Sequence, residues 1–366
     1  MIKVKKEYYN LKQIKKVGAN INIIIGQRSN GKSYAVKEEM LLDFIRNGKE
    51  FVYLRREIIQ AKQNRVAEQF DDIGLSKMIA KETKNEFNAI TTYQGKIYLT
   101  KYDVEMGLHG KAKDGIVCGY YTSVDCADDI KGSQQYGKVT NILLDEFITT
   151  SGSYRVNEIK EFNSIISTVA RNRDNIKIYL LANTISRVCP YFDEYGITPM
   201  LKSIKEGTIE KIIQTNASGD KRIIAFEYCK SITKNKLFSG SSTESMINNG
   251  AWETDLYLKL EKNFRDYENL YSILVDGETF RFMIYLLKDI DTNGYCVYIA
   301  PTNKTEHPRT LTTKFSTNMM ETNYFLDNAN EKLILKLLKT NHCAYANNLT
   351  GQDFWNVMSM GKYIKG

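Results

Sequence analysis

Apolar residues in the first half of the chain fall into short runs separated by segments with helical spacing. Four runs read as buried strands: Ile21–Ile25, Phe51–Leu54, Ile142–Leu144 and Ile176–Leu181. Apolar residues recur every three or four positions in 33–48 and again in 156–173, which predicts amphipathic helices. Alternating short strands and helices are typical of an open α/β sheet. We therefore predict an α/β fold for this half.

A glycine-rich segment directly follows the first predicted strand and precedes the first predicted helix. It reads G-x-x-x-x-G-K-S and comprises Gly26, Gln27, Arg28, Ser29, Asn30, Gly31, Lys32 and Ser33. Backbone N–H groups and a helix N-terminus attract phosphates, and glycines allow the backbone to approach them closely. Lys32 is expected to reach the β- and γ-phosphates and Ser33 to hold Mg²⁺. The segment predicts binding of ATP or GTP.

Polar side chains end two other predicted strands. Asp145 and Glu146 follow the run Ile142–Leu144, and Asn183 follows the strand that ends near Leu181. In open α/β sheets the ligand lies at the carboxyl ends of the strands. We expect Asp145 to support Mg²⁺, Glu146 to polarise the attacking water and Asn183 to sense the γ-phosphate. It is equally compatible with the sequence that Asn183 is an ordinary turn residue at the end of a strand.

Two pairs of arginines follow predicted elements. Arg171 and Arg173 end the second helix, where the helix dipole favours cations, and one of them is alternatively an arginine finger for a neighbour's ATP. Arg55 and Arg56 end the second strand. They could face nucleotide, DNA or another subunit, or form a surface pair.

The composition changes after residue 196. All four prolines lie at or beyond Pro190, and 215–253 is rich in Ser, Asn, Gly and Lys. Three β-rich runs follow, joined through Asp276-Gly277 and Asn293-Gly294, which are strong hairpin signals, and a helix is predicted over 324–338. We predict an ATPase domain over 1–196, a linker region over 197–265 and a small α+β domain over 266–366.

Charge and composition limit the class of protein. The formal charge is +8, and six lysines lie near the start, at Lys3, Lys5, Lys6, Lys12, Lys15 and Lys16. They form either a solvated basic face or a nucleic-acid contact. Cysteines without a C-x-x-C pair and three scattered histidines offer no metal-site spacing. The sequence lacks a long apolar run and a signal-peptide pattern, so we expect a cytoplasmic chain without membrane contact.

Together these motifs resemble the DNA-packaging ATPases of phi29-like tailed phages. The resemblance rests on G-Q-R-S-N-G-K-S, F-V-Y-L-R-R, L-L-D-E-F, A-R-N-R at 170–173, and L-A-N followed by C-P-Y-F at 189–192. Arg28 inside the phosphate loop belongs to this pattern. The matching motifs follow the family's order from residue 20 to about residue 195.

The resemblance implies a RecA-like ATPase of the additional-strand, conserved-glutamate type. It implies a homopentameric ring at the portal vertex of an empty prohead, reached in the host cytoplasm, that drives double-stranded DNA inward. Arg171 becomes the arginine finger acting in trans, and Arg173 the weaker candidate. The C-terminal domain resembles a degenerate RNase H-like nuclease that binds a packaging RNA, DNA or the portal.

One position departs from the family pattern. One member of the family that the motifs resemble carries a lysine shortly after the arginine pair, proposed to act between subunits. This chain has Ile58 and Ile59 in that region. The role could pass to Arg55, Arg56 or Lys62, or be absent.

Parts of the sequence are compatible with three other functions. Nuclease activity would need a carboxylate cluster, for which Asp276, Asp289 and Asp291 are poorly placed candidates in or beside loops. A cellular helicase or recombination translocase could use the same ATPase core. A nucleotide-gated RNA-binding protein with little turnover could use the same phosphate loop.

Overall fold

The structure is a computed structural model that describes residues 8–103, 108–128, 136–149, 153–215, 219–231, 252, 257–277, 279–312 and 316–361. Three of the amino-terminal lysines, Lys3, Lys5 and Lys6, lie outside these residues, as does 232–251 of the expected linker. Among the described residues, no helix combines the length and the apolar character that crossing a bilayer requires.

The first part of the chain alternates strands with helices. Its strands are β1 Ile21–Gly26, β2 Glu50–Arg55, β3 Ala89–Tyr93, β4 Lys96–Thr100, β5 Tyr102–Asp103, β6 Leu108–His109, β7 Ile116–Ser123, β8 Val139–Asp145, β9 Lys177–Asn183, β10 Thr208–Thr215 and β11 Lys221–Tyr228. Its helices are α1 Lys12–Lys16, α2 Lys32–Asn47, α3 Gln63–Phe70, α4 Ile73–Glu82, α5 Glu158–Ala170 and α6 Pro190–Glu194.

Nine of these strands form one sheet in the order β10-β11-β1-β9-β8-β2-β7-β4-β3. The six strands from β11 to β7 run parallel, and β10, β4 and β3 add antiparallel edges. Parallel strands present their carboxyl ends along one edge of a sheet. The ends of β1, β9, β8 and β2 therefore meet at one crevice.

Helices cover both faces of this sheet, which explains why its central strands are apolar on both sides. Helices α5 and α6 pack on one face through Phe162, Val169 and Phe192. Helices α1 to α4 pack on the other, where Met40 and Phe70 are buried. Both faces exclude water, so the polar ends of the strands are the part of the sheet left open to a ligand.

The expected domain boundary at residue 196 does not match the edge of this sheet. Strand β11 pairs in parallel with β1 from Ile21↔Ile224 to Ile25↔Tyr228, and β10 pairs with β11. The polar, glycine-rich surroundings of residues 208–228 favour a linker region there. These residues lie instead in the nine-stranded sheet, because the apolar side chains of β11 are buried against the same core as those of β1.

The second part of the chain forms a separate sheet. Its strands are β12 Tyr267–Gly277, β13 Phe280–Asp289, β14 Tyr295–Pro301, β15 Thr310–Thr312, β16 Glu321–Thr322 and β17 Cys343–Tyr345, and its helices are α7 Ala329–Lys339 and α8 Asn348–Gly361. The order is β16-β15-β12-β13-β14-β17. The predicted meander is confirmed, because β12, β13 and β14 pair antiparallel.

The helix expected from residue 324 begins later. Asn328 accepts a hydrogen bond from the backbone N–H of Glu331 and caps α7 there. Helices α7 and α8 bury Ile334 and Phe354 against the sheet. The predicted fold class, an α/β domain with a phosphate loop between its first strand and the following helix and then a small α+β domain, is confirmed.

Candidate nucleotide site

The phosphate loop lies between β1 and α2, as the sequence predicts. Gly31 has a φ of 94°, a backbone conformation that side chains disfavour. Gly26 lies against Cys229, and a Cβ atom on it would stand 2.9 Å from the Cys229 Cβ. The backbone N–H of Tyr9 donates to the Asn30 carbonyl at 3.0 Å. The loop is therefore held from both sides by distant parts of the chain.

Lys32 reaches back across this loop. Its Nζ donates to the Gln27 carbonyl at 3.0 Å and to Asn183 Oδ1 at 2.8 Å. Burial lowers the pKa of Lys32 to about 8, partly opposed by Asp145 and Glu146. The carbonyl oxygens that this buried ammonium contacts are neutral, and phosphate oxygens would bring an anion into direct contact with it.

ATP affinity is expected to depend on pH through Lys32. Phosphates favour the charged ammonium, so the Lys32 pKa rises when ATP binds. This contribution to affinity is complete below pH 8, the value near which the unliganded Lys32 titrates. At higher pH, affinity should fall by up to about tenfold per pH unit until the pKa of the complex is passed. Calorimetry at a pH well above 8, in two buffers of different ionisation heat, should detect the uptake of a proton when ATP binds. Binding without uptake would contradict it, and Lys32→Arg, which does not titrate there, is the control.

The acidic pair follows β8 at the same edge. Ser33 Oγ donates to Asp145 Oδ1 at 3.1 Å, and the Tyr53 hydroxyl donates to Asp145 Oδ2 at 3.4 Å. A hydroxyl and a carboxylate side by side are the hard oxygen ligands that Mg²⁺ prefers. The residues present therefore fit the metal that the phosphate loop implies.

Glu146 adopts an unusual backbone conformation beside this pair. Its φ is 61°, a left-handed value for a residue with a side chain. Its carboxylate accepts a hydrogen bond from Arg55 Nη2, and the Arg55 side chain is largely buried. The left-handed turn separates the two acidic side chains. Asp145 faces Ser33, whereas Glu146 faces the open cleft.

A cleft of about 580 Å³ connects these groups. Its lining includes six predicted residues of the loop, together with Glu146 and Asn183: Arg28, Ser29, Asn30, Gly31, Lys32, Ser33, Glu146 and Asn183. Gln27 contacts Lys32 through its carbonyl, and Asp145 contacts Ser33. The structure thus brings together the predicted loop, acidic pair and sensor, while Arg171 lies elsewhere.

The two arginines after α5 differ sharply. Arg171 ends the helix with a φ of 44° and is exposed. It precedes β9, at the sheet edge opposite the phosphate loop, and the seven residues of β9 alone span about 20 Å. Arg171 therefore cannot reach the cleft of its own chain.

Arg173 binds its own chain instead. Its guanidinium donates hydrogen bonds to five backbone carbonyls, which belong to Tyr136, Gly137, Val139, Val169 and Ala170. Three of these precede or begin β8 and two end α5. Arg173 thus joins a helix end to a strand start.

Removing Arg173 is expected to cost stability. Arg173→Ala would leave several carbonyls without their donor and should lower the free energy of unfolding by about 2–4 kcal/mol. Arg171→Ala, an exposed change of the same kind, should alter it by less than about 0.5 kcal/mol. Urea unfolding of the full chain measures both. Equal midpoints for the two variants would contradict this assignment.

The structure contains a buried ion pair beside the cleft that the sequence analysis does not predict. Arg56 donates to both carboxylate oxygens of Glu158 at 2.7 and 2.8 Å, and the Tyr191 hydroxyl donates to the same carboxylate at 3.0 Å. Glu158 begins α5, and its sequence position showed only an acidic residue in a first helical turn. Lys62, by contrast, is exposed at the start of α3.

Comparison with known proteins identifies the family. A family model described as Podovirus DNA encapsidation protein (Gp16) matches residues 3–349. The chain belongs to this family. The DNA packaging protein of Bacillus phage phi29 is 26% identical to this chain over 329 residues, 87% of each chain. That of Bacillus phage B103 is 25% identical over 311 residues, 81% of this chain and 87% of the relative.

A solved structure supports the fold of the encapsidation family across both domains. A chain in the phi29 viral genome packaging motor assembly aligns with 96% of this chain and 98% of its own length, with a TM-score of 0.56 and 22% identity. The resemblance found in the sequence is confirmed. So is, as a family property, a role in DNA packaging.

Proposed function

We propose that this protein is the ATP-hydrolysing subunit of a ring that moves double-stranded DNA into a preformed prohead. The observation that carries the proposal is the cleft where Lys32, Ser33, Glu146 and Asn183 meet at the carboxyl ends of β1, β8 and β9. Membership of a DNA encapsidation family supplies the context in which such a cleft works.

The side chains in the cleft divide the work of phosphoryl transfer. Lys32, already bonded to Asn183, holds the β- and γ-phosphates, and Asn183 reports whether the γ-phosphate is present. Ser33 and Asp145 would hold Mg²⁺, which neutralises charge that develops on the phosphate oxygens. Glu146 orients the attacking water and accepts its proton. Arg55 holds the Glu146 carboxylate at the mouth of the cleft until the substrate is in place.

Arg171 completes the site of a neighbouring subunit. It is exposed and lies at the far edge of the sheet from its own phosphates, so the only nucleotide cleft that its charge can serve is that of another copy. A ring, which is pentameric by resemblance, delivers each Arg171 to the next cleft. Hydrolysis then depends on assembly.

The partners follow from the same resemblance. Double-stranded DNA is the cargo, and the portal of the prohead and a packaging RNA are the expected docking partners of the second domain. The protein would work in the host cytoplasm, transiently at the portal vertex. In the second domain, Asp276 binds Arg281, whereas Asp289 and Asp291 bind Lys262.

The test of this function measures ATP hydrolysis by the full chain alone, with linear double-stranded DNA, and with DNA plus proheads. We expect the largest stimulation with proheads and DNA together, and protection of DNA from nuclease inside the prohead. Lys32→Ala should remove both signals. Stimulation by DNA that proheads do not change would favour a helicase or recombination translocase. Binding of RNA with negligible hydrolysis would favour a nucleotide-gated RNA-binding protein.

A further inference from the structure

The loop that leaves β9 joins the nucleotide cleft to the second domain within five residues. Asn183 ends β9 and accepts a hydrogen bond from Lys32 Nζ at 2.8 Å. Five residues later, Val188 is buried in the hydrophobic core of the second domain, which includes Phe280 and Phe354. The covalent path from the phosphate-contacting residues to that core is therefore very short.

Two side chains of helix α8 hold this loop. Asp353 accepts a hydrogen bond from Arg187 Nη2, and both side chains are largely buried, with 5% and 12% of their surfaces exposed. Asn356 donates from Nδ2 to Ser186 Oγ at 2.9 Å. Buried polar contacts of this kind are specific in geometry, since any shift leaves an unpaired group away from water.

The loop is also closed into a tight turn by its own hydrogen bonds. Ser186 Oγ donates to the Val188 carbonyl at 3.0 Å and accepts from the Val188 N–H at 3.1 Å, which closes a tight turn. The Arg187 guanidinium lies 5.3 Å from the centre of the Phe280 ring, on a strand of the second domain. A displacement of α8 would therefore be passed to Asn183 instead of being absorbed within the loop.

We propose that Asp353 and Asn356 are positioning residues for ATP hydrolysis, which act through Arg187 and Ser186 to set where Asn183 stands beside Lys32. The inference rests on the proposed function, because it concerns hydrolysis in that cleft. Coupling of this kind is reciprocal. A bound γ-phosphate that pulls on Asn183 also biases the position of α8, and with it the second domain.

The first test separates the rate of chemistry from substrate binding. Asp353→Asn keeps the size of the side chain and removes its charge. We expect kcat for ATP to fall roughly fivefold while KM changes less than about twofold, since the loop acts on the γ-phosphate end of the site. Asp276→Asn is the matched control. Its carboxylate also binds an arginine, Arg281 at 2.8 Å, but both residues lie on strands of the second domain.

Two further variants guard against simple misfolding. Asn356→Ala leaves the ion pair intact and should reduce kcat in the same direction. The double variant Asp353→Asn/Arg187→Gln removes the buried unpaired charge, so it should recover the thermal stability lost in the single variant without recovering kcat. Recovery of kcat together with stability would overturn the proposal, as would an equal loss in Asp276→Asn.

Amide hydrogen exchange tests the reverse direction. In the wild-type chain, a non-hydrolysable ATP analogue with Mg²⁺ should slow exchange in the phosphate loop, in 184–189 and in α8. In Asp353→Asn the phosphate loop should still respond while α8 does not. An α8 response that persists in the variant would overturn the coupling. The proposed function is judged separately, by whether wild-type chain hydrolyses ATP and Lys32→Ala does not.

Discussion

We expect the Glu146→Gln variant to bind ATP as tightly as the wild-type chain and to hydrolyse it about 100- to 10,000-fold more slowly. Glutamine matches glutamate in size and can still accept the hydrogen bond from Arg55, so the cleft keeps its shape. It cannot take a proton from the attacking water. Lys32 and Asn183, which hold the phosphates, are unchanged. Phosphate release by the assembled ring and equilibrium binding of ATP measure the two effects.

Glu57→Gln provides the control for this variant. Glu57 lines the same cleft and its carboxylate lies 4.0 Å from Arg56 Nη1, but it is not at the end of a strand. The kcat of Glu57→Gln should stay within about twofold of wild type, since we assign Glu57 no role in proton transfer. A Glu146→Gln variant that turns over normally, or a Glu57→Gln variant that fails equally, would contradict the assignment of the base.

Arg171→Ala subunits are expected to bind ATP and yet leave the cleft of the neighbouring subunit inactive. An arginine supplied in trans contributes about 10³–10⁵ to the rate of phosphoryl transfer. Mixed rings make this visible. In rings that combine Arg171→Ala subunits with Lys32→Ala subunits, each complete site needs Lys32 from one chain and Arg171 from the next. Some activity should therefore return on mixing, because Lys32→Ala subunits still carry the arginine.

The matched control for the mixed rings is Arg65→Ala. Arg65 is likewise an exposed arginine, located on α3 rather than beside α5. Its rings should hydrolyse ATP at the wild-type rate. Full activity in rings made only of Arg171→Ala subunits would remove the finger assignment. Lost ring assembly in that variant, seen by light scattering, would make Arg171 an interface residue and would equally contradict a catalytic role.

Local chemistry explains how much the sequence could predict. The phosphate loop, β1 and α2 follow from adjacent residues, because an apolar run, two glycines and a helical repeat each act over a few positions. The polar strand ends were predictable for a different reason. Parallel strands bring Asp145, Glu146 and Asn183 to one edge of the sheet whatever their distance along the chain.

Contacts between distant residues were not predictable in this way. The pairing of β11 with β1 depends on a register set by packing between distant parts of the chain. Arg171 and Arg173 carry the same signal in sequence, two cations after a helix. The backbone carbonyls before and at the start of β8 and at the end of α5, which accept hydrogen bonds from Arg173, distinguish the two. Arg56 and Glu158, 102 positions apart, form an ion pair that no local pattern could indicate.

The pairing of β11 with β1 has a consequence for protein synthesis. The strand that carries the phosphate loop is completed by residues 221–228, about 200 positions later, and Gly26 packs against Cys229. A nascent chain cannot bury β1 on both sides until β11 has left the ribosome. ATP binding is therefore expected late in translation. Any fragment designed to bind nucleotide must extend through Cys229, since one that stops at residue 196 leaves β1 as a bare apolar edge prone to aggregation.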